Sequence, residues 1–412
     1  MADKNIEPLH VNGRGHKPAP LPSPAPAKLS ERYAHIIGWG MAAPEKVVTN
    51  DELSRTVDTT HEWIVARTGI RERRIASPRE STATLATTAA QNALEVANMD
   101  AAEIDLIIVA TSTPEHIFPA TACLVQDALG AVNAGAFDLS AACTGFIYAL
   151  AMGAQSIRSG ASQTVLVIGA ETMSRVVNWH DRGTCVLFGD GAGAFVLQAR
   201  ETPGGVLCNL LRSDGSGGGS LIIPAGGSKI PASFESVRDN LHYIQMDGKE
   251  VYRFATRVMT TAVKDVVAGA NLTLDQIRLI VPHQANQRII ESAARSLGVP
   301  EERFVINVDR YGNTSAASIP IAVCEAVSQG RLRPDDHLVM VGFGAGLTWG
   351  ASVIQWEATP PPEISRWQRL RRRTAYGTAA VRSWWRRETR RLEGWVLGSP
   401  HLESDDKQRR GK

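Results

Sequence analysis

Ala102-Glu103-Ile104-Asp105-Leu106-Ile107 recurs in altered form as Asp275-Gln276-Ile277-Arg278-Leu279-Ile280, 173 residues further along the chain. Two more pairs keep the order. The run Gly135-Ala136-Phe137-Asp138-Leu139-Ser140-Ala141-Ala142-Cys143 parallels residues 304–313 at an offset of about 170, and Leu166-Val167-Ile168-Gly169 parallels Leu338-Val339-Met340-Val341-Gly342 at 172. A nearly constant offset with preserved order identifies two copies of one unit. Leu106-Ile107-Ile108-Val109 and Val165-Leu166-Val167-Ile168 are short β-branched runs, which read as strands buried on both faces in the manner of a parallel sheet. Between them, residues 82–98 and 145–158 read as Ala-rich helices. The alternation predicts an α/β sheet with helical crossovers. The repeat places Cys143 and Asn313 near equivalent strand-to-helix corners, and the seam between two such halves is where a pocket is expected.

Outward from the repeat, ordered sequence begins near Arg32, with Ala34-His35-Ile36-Ile37-Gly38-Trp39-Gly40 as a first strand. It closes at Glu357, because Pro360, Pro361 and Pro362 can continue neither a helix nor a central strand. The expected division is a disordered Pro-rich arm (1–31), a half with a thiol (32–205), a half with a histidine and an asparagine (206–357) and a basic tail (358–412). Of the 412 residues 43% are apolar and 21% charged, as in an ordinary globular protein. No apolar run is long enough to span a membrane, and residues 1–10 contain no secretory-like stretch, which sets a cytoplasmic address as the expectation. Cys123, Cys143, Cys185, Cys208 and Cys324 are odd in number and lack a CxxC pair, which argues against a disulfide scaffold and against zinc. The net charge of +2 is uneven. Residues 361–412 hold fourteen Lys and Arg against six Asp and Glu, so the rest of the chain is mildly acidic.

Cys143 sits in Ser140-Ala141-Ala142-Cys143-Thr144-Gly145-Phe146, at the start of a predicted helix. Unpaired N–H groups and the helix dipole at that position favour a thiolate, and small neighbours allow close approach of a substrate. The bland alternative is a small hydrophobe at a tight corner. His283 ends a predicted strand in Val281-Pro282-His283-Gln284, where α/β proteins bind ligands, although a lone histidine is more often structural. Asn313, in Tyr311-Gly312-Asn313-Thr314-Ser315, reads better on its own as the cap of the next helix. Gly189-Asp190-Gly191-Ala192-Gly193-Ala194 fits a dinucleotide fingerprint but leads into Phe195-Val196-Leu197-Gln198, a strand pattern, and is rejected as one. The glycines of residues 342–350 suit backbone N–H groups facing a pocket.

Arg67-Thr68-Gly69-Ile70-Arg71-Glu72-Arg73, AACTGF, DRGT at residues 181–184, FGDGAGA, HQAN, GNTSAAS and GFGAGLTWG stand in this order over residues 32–357. Together they resemble the signatures of the β-ketoacyl-acyl-carrier-protein synthase III family. The resemblance implies a thiolase-like α/β fold of two duplicated halves in an α-β-α-β-α layering, and a homodimer. It implies a decarboxylative condensation of a short acyl-coenzyme A with malonyl-acyl-carrier protein through an acyl-cysteine, with no metal and no cofactor. The nucleophile falls on Cys143, and His283 and Asn313 become donors to the enolate left by decarboxylation, a role that suits neutral groups. Backbone N–H groups of Cys143 and Gly346 would form the oxyanion hole. Trp63, Arg67 and Arg182 match coenzyme A contacts. Gln284, Ala285, Asn286, Gln287, Arg288 and Arg253 match the carrier-protein surface, and Phe118 an aromatic gate reaching the neighbouring subunit's acyl pocket. Related readings are an acyltransferase priming a specialised product, a Cys-His-Asn hydrolase, or a scaffold recruited by its tail. In that tail Val381, Trp384, Trp385, Leu392, Trp395 and Val396 share a helical face among arginines. It reads either as a contact for a membrane surface or acidic protein, or as a solvated extension. No motif supports nucleic-acid binding.

Overall fold

The computed structural model describes residues 31–357 and, beyond them, Thr374, Tyr376, Val381, Trp385, Glu388 and Thr389. The expected Pro-rich arm, residue 31 apart, and most of the expected tail helix lie outside the described residues. Within the tail, Tyr376 packs against the apolar core, whereas Val381 and Trp385 are helical and exposed.

One sheet contains β1 (Tyr33–Ala42), β2 (Leu106–Ala110), β3 (Gly135–Leu139), β4 (Thr164–Thr172) and β5 (Asp190–Arg200) in the spatial order β1-β5-β4-β2-β3. The other contains β6 (Gly205–Ser213), β7 (Ile277–Pro282), β8 (His337–Gly344) and β9 (Thr348–Gln355) in the order β6-β9-β8-β7. A parallel bridge from Ile280 to Phe304 occupies the place that β3 has in the first sheet. The parallel pairs lie at one end of each sheet, β4–β2 and β2–β3 in the first and β8–β7 in the second. The strand pairs β5–β1 and β9–β6 are antiparallel, as are β4–β5 and β8–β9. The sheets are therefore mixed, and the two runs read from the sequence as parallel-sheet strands, β2 and β4, are parallel to each other. β8 and β9 are joined by only three residues, too few for the crossover a parallel partner needs.

The longer helices are α1 (His61–Thr68), α2 (Thr82–Ala97), α3 (Thr121–Leu129), α4 (Gly145–Arg158), α5 (Gly248–Gly269), α6 (Gln287–Leu297) and α7 (Ser318–Ser328). α2 begins where the Ser81 hydroxyl caps the Thr84 N–H and ends at Asn98 in the left-handed conformation. Side-chain alternation decides the layering. Along β4, Val165 and Val167 face Phe146, Ile147 and Leu150 of α4 and Ile319 of α7, while Leu166 and Ile168 face α2 and α3. On β8, Leu338 and Met340 join the same middle layer, while Val339 and Val341 face α5 and α6. The order is α2/α3, first sheet, α4/α7, second sheet, α5/α6. β4 and β8 are apolar on both faces because each face meets helices.

The duplication extends to single dihedral angles. Ala142 (φ +47°) and Ser315 (φ +48°) are 173 residues apart, and each starts one tight turn, Ala142–Thr144 or Ser315–Ala317, that leads into α4 or α7. The residue equivalent to Cys143 is thus Ala316. Asn313 lies three residues before it, which refines the corner equivalence expected from the sequence.

Candidate active site

Cys143 is buried at the N-terminus of α4, with only 7% of its surface exposed. Thr348 holds the corner from the other half: its hydroxyl lies 3.0 Å from that of Thr144 and 3.2 Å from the Ala141 carbonyl oxygen. Burial pushes the thiol up to about 12, the Glu171 carboxylate raises it further, and hydrogen bonds from Ser315 and from the cysteine's own N–H offset part of this. Burial thus opposes the helix terminus, which favours a thiolate.

His283 ends β7 and is buried against Phe343, edge to face, with 5.3 Å between ring centroids. Its Nδ1 lies 2.6 Å from the Ser318 hydroxyl, which also receives the Gln284 N–H at 3.4 Å. The Ser318 hydroxyl thus occupies Nδ1 and leaves Nε2 as the other ring nitrogen. Burial lowers the imidazole to about 3, so the ring is neutral. The Asn313 carbonyl Oδ1 accepts from the Ser315 N–H at 2.8 Å, which orients the amide and leaves Nδ2 as its donor. Asn313 therefore closes a tight turn ahead of residues 315–317 and does not cap α7, which follows Ala317. Cys143, His283 and Asn313 line one cavity of about 90 Å³. An imidazole N–H, a carboxamide N–H and a sulfur converging on so small a space suit an anion formed next to the sulfur.

Two larger hollows adjoin this neck. The first, about 400 Å³, meets it at Cys143, Phe188 and Leu221 and is lined by apolar Met173, Val176, Ile223 and Ile244. Gly346 borders it with Cys143, in a left-handed conformation (φ +137°). The second is an open cleft of about 1130 Å³ that shares Leu187, Met246, Tyr252 and Asn286 with the neck. Five cations line it: Arg67, Arg182, Lys249, Arg253 and Arg288. Trp63 stands between two of them, 4.6 Å from Arg67 and 5.6 Å from Arg182 measured to its ring centroid. Arg182 is aimed there by its bond to Asp58 at 3.0 Å, and Asp181 ties the turn by accepting from Thr184.

The carrier-surface residues expected from the sequence divide. Arg253 and Arg288 are exposed, Asn286 holds the Arg67 carbonyl oxygen at 3.0 Å, and Gln287 bonds Glu291. Ala285 is half-buried in the neck wall. Gln284 is buried, and its amide is committed to the carbonyls of Pro282 and Val305 and the N–H groups of Asn307 and Val308. It cannot face a partner, which corrects that expectation. Phe118 is 85% exposed and lines no cavity of its own chain among those described. Sequence reasoning missed Lys249, Ser318, Ser315 and Glu171. Glu171 was open to discovery as an acid inside an otherwise buried strand, β4. Among the described residues, no group of three or more His, Cys, Asp and Glu could hold a metal ion. No helix there is long and apolar enough to cross a membrane.

Comparison with known proteins adds to this geometry. Residues 137–215 match the family 3-oxoacyl-[acyl-carrier-protein (ACP)] synthase III, and residues 267–356 match its C-terminal domain. The chain is 53% identical over 323 residues to the beta-ketoacyl-[acyl-carrier-protein] synthase III of Caldanaerobacter subterraneus subsp. tengcongensis, covering 78% of this chain and 98% of that one. It is 55% identical over 325 residues to the protein of the same name from Symbiobacterium thermophilum, covering 79% and 98%. Among solved structures, 3-oxoacyl-[acyl-carrier-protein] synthase III from Aquifex aeolicus aligns with a TM-score of 0.73 at 46% identity, over 78% of this chain and 100% of that chain. The priming beta-ketosynthase of the R1128 polyketide biosynthetic pathway aligns with a TM-score of 0.75 at 38% identity, over 82% and 100%.

Proposed function

The chain belongs to the 3-oxoacyl-[acyl-carrier-protein] synthase III family, and from that premise we propose how its residues divide the work. It is a β-ketoacyl-acyl-carrier-protein synthase III, an acyltransferase of the condensing type that initiates fatty acid synthesis. Acyl-coenzyme A enters by the basic cleft, with its adenine against Trp63, Arg67 and Arg182 and its pantetheine arm in the neck. Indole and guanidinium faces suit a purine, and the five cations suit its phosphates. The sulfur of Cys143 attacks the thioester carbonyl, whose oxygen receives the N–H groups of Cys143 and Gly346, and coenzyme A departs.

Malonyl-acyl-carrier protein then docks on the same cleft, its acidic surface drawn by Arg253, Arg288 and Lys249. Loss of carbon dioxide leaves an enolate, stabilised by Nε2–H of His283 and Nδ2–H of Asn313. Its carbon attacks the acyl-cysteine carbonyl and frees the sulfur. The observation carrying this reading is that thiol, imidazole and carboxamide line one neck between an apolar chamber and a basic cleft.

We read residues 32–205 and 206–357 as the duplicated halves, the protein as cytoplasmic and a homodimer as its working form. Exposed Ile117 and Phe118 would meet the second subunit, with Phe118 entering its partner's chamber. A chamber of about 400 Å³ holds roughly a dozen waters at ~30 Å³ each, more than an acetyl group needs. This favours a second reading, in which a longer primer starts a specialised product.

The test offers a panel of acyl-coenzyme A esters and malonyl-carrier protein, with mass spectrometry of the peptide containing Cys143. Acyl label on that sulfur, absent in Cys143→Ser, is expected. Label at another residue in the wild-type protein refutes the assignment.

A further inference from the structure

The two enolate donors come from separate stretches of chain. His283 follows the end of β7, and Asn313 lies just beyond the single helical turn Val308–Tyr311. Gln284 stands between them. A side-chain amide offers two N–H donors and an oxygen that accepts twice, and here all four are used. Nε2 donates to the Pro282 carbonyl at 2.8 Å and to the Val305 carbonyl at 2.9 Å. Oε1 accepts from the N–H of Asn307 at 2.9 Å and from that of Val308 at 3.2 Å. Only 1% of the Gln284 surface is exposed. Its amide thus ties the backbone next to His283 to the segment that leads to Asn313.

The same helical turn is also gripped from α7. Glu325 accepts from Asn307 Nδ2 at 2.9 Å, from both terminal nitrogens of Arg310 at 2.7 Å and from the Tyr311 hydroxyl at 2.8 Å. One residue then remains before Asn313. It is Gly312, with φ +64°, where a Cβ would stand 2.8 Å from the Leu187 carbonyl oxygen. That oxygen accepts the Asn313 N–H at 2.8 Å. On the other side of Gln284, the Ser318 hydroxyl meets both His283 Nδ1 and the Gln284 N–H.

We propose that Gln284 is a positioning residue for decarboxylation, and that it sets the spacing of His283 and Asn313 so that both meet one enolate oxygen. This deepens the reading above and rests on those two residues being the enolate donors. Two donors can share one oxygen only if each comes within about 2.7–3.1 Å of it. A displacement near 1 Å costs about 100-fold in rate. Acylation of Cys143 uses neither donor, so it does not depend on their spacing. Gln284 touches no reacting atom and acts through its neighbours.

The test compares two half-reactions in the full chain: carbon dioxide release from malonyl-carrier protein without primer, and rapid-quench acylation of Cys143 by acetyl-coenzyme A. Gln284→Met keeps the length of the side chain and removes all four bonds. Release is expected to slow about 100-fold in kcat at unchanged KM, with acylation within about threefold of wild type. In a His283→Ala background only one donor is left to position. There Gln284→Met should slow release by less than about tenfold, the non-additivity of residues that act as a unit. If Gln284→Met does not fold, Glu325→Gln carries the test, because it loosens the same turn while leaving Gln284 in place. It should slow release about tenfold and leave acylation at the wild-type rate. In either variant, equal slowing of both half-reactions or wild-type release overturns the proposal. So does the same factor for Gln284→Met with and without His283, which a merely structural role would give. Wild-type release in His283→Ala and Asn313→Ala would instead refute the donor assignment, so the two failures are distinguishable.

Discussion

A single methyl group at Gly344 tests whether the Cys143 corner is the acylation centre. Built on the present backbone, the Cβ of Gly344→Ala stands 2.7 Å from the Cys143 amide nitrogen and 3.2 and 3.3 Å from the Cβ atoms of Ala142 and Cys143. Non-bonded carbon contacts relax only near 3.5–4 Å, so β8 and the corner must separate by roughly 0.5–1 Å. The nearest atom is backbone and cannot rotate away. Such overpacking costs about 1–3 kcal/mol. The chemical penalty is larger, because the same shift moves the sulfur and one oxyanion donor together, and an error near 1 Å costs about 100-fold in rate. Rapid-quench acylation should therefore fall about 100-fold, with a stability loss of about 1–3 kcal/mol by urea denaturation. Equilibrium binding of coenzyme A should fall far less than the acylation rate, because Trp63, Arg67 and Arg182 hold its nucleotide in the separate cleft. Acylation within threefold of wild type, accompanied by the full stability loss, would show that the corner can move without consequence and that the chemistry lies elsewhere.

Asn313→Ala and His283→Ala should each acylate Cys143 normally yet release carbon dioxide about 100- to 1,000-fold more slowly, the scale of losing one anion-hole donor; equal loss in both half-reactions would contradict the division of roles. His283 also has a pH signature. It binds a proton near 6.5 when unfolded but only near 3 when folded, so between these values the unfolded state holds the extra proton and stability falls as pH drops. Denaturation from pH 6.5 to 5 should show a slope about 1 kcal/mol per pH unit shallower in His283→Asn than in wild type; parallel curves would mean the imidazole is not buried neutral. Gln284→Ala strands two N–H groups and two carbonyls, so it should lose about 4 kcal/mol or more at ~1–3 kcal/mol for each unmet group. Its affinity for carrier protein, read by fluorescence anisotropy, should not change; a selective drop would restore a contact role. Trp63→Ala should raise KM for acyl-coenzyme A by up to about tenfold, as expected for a stacked cation and ring, with kcat nearly constant; a matching fall in kcat would place Trp63 in the chemistry.

Much of this was legible before any coordinates, for particular reasons. Helices 82–98 and 145–158 were readable because alanine-rich runs of that length have few other stable folds, and β2 and β4 because four consecutive β-branched or aliphatic residues need cover on both sides. The repeat located the pocket, since both halves turn the same corner. Two things were not written in the sequence. The antiparallel pairs are decided by connections, not by strand composition. The destination of the Gln284 amide is another, because HQAN runs straight from a buried strand into an exposed helix start, and only the backbone of Asn307 and Val308 shows where that amide goes.

The asymmetry laid over the duplication is where the chemistry concentrates. At the same place in the two halves stand Cys143 and Ala316, and at the ends of the equivalent strands β4 and β8 stand Glu171 and Gly344, again 173 residues apart. Each corner leans on the strand end of the opposite half: Gly344 abuts the Cys143 nitrogen, and Glu171 receives the Ser315 hydroxyl. A glycine on one side lets the Cys143 backbone come close, and on the other an acid stands where the duplication would put a glycine. Corner and strand end thus cross over between the halves. The side chains that line the neck, Cys143 from one half and His283 and Asn313 from the other, are held together by these crossed contacts.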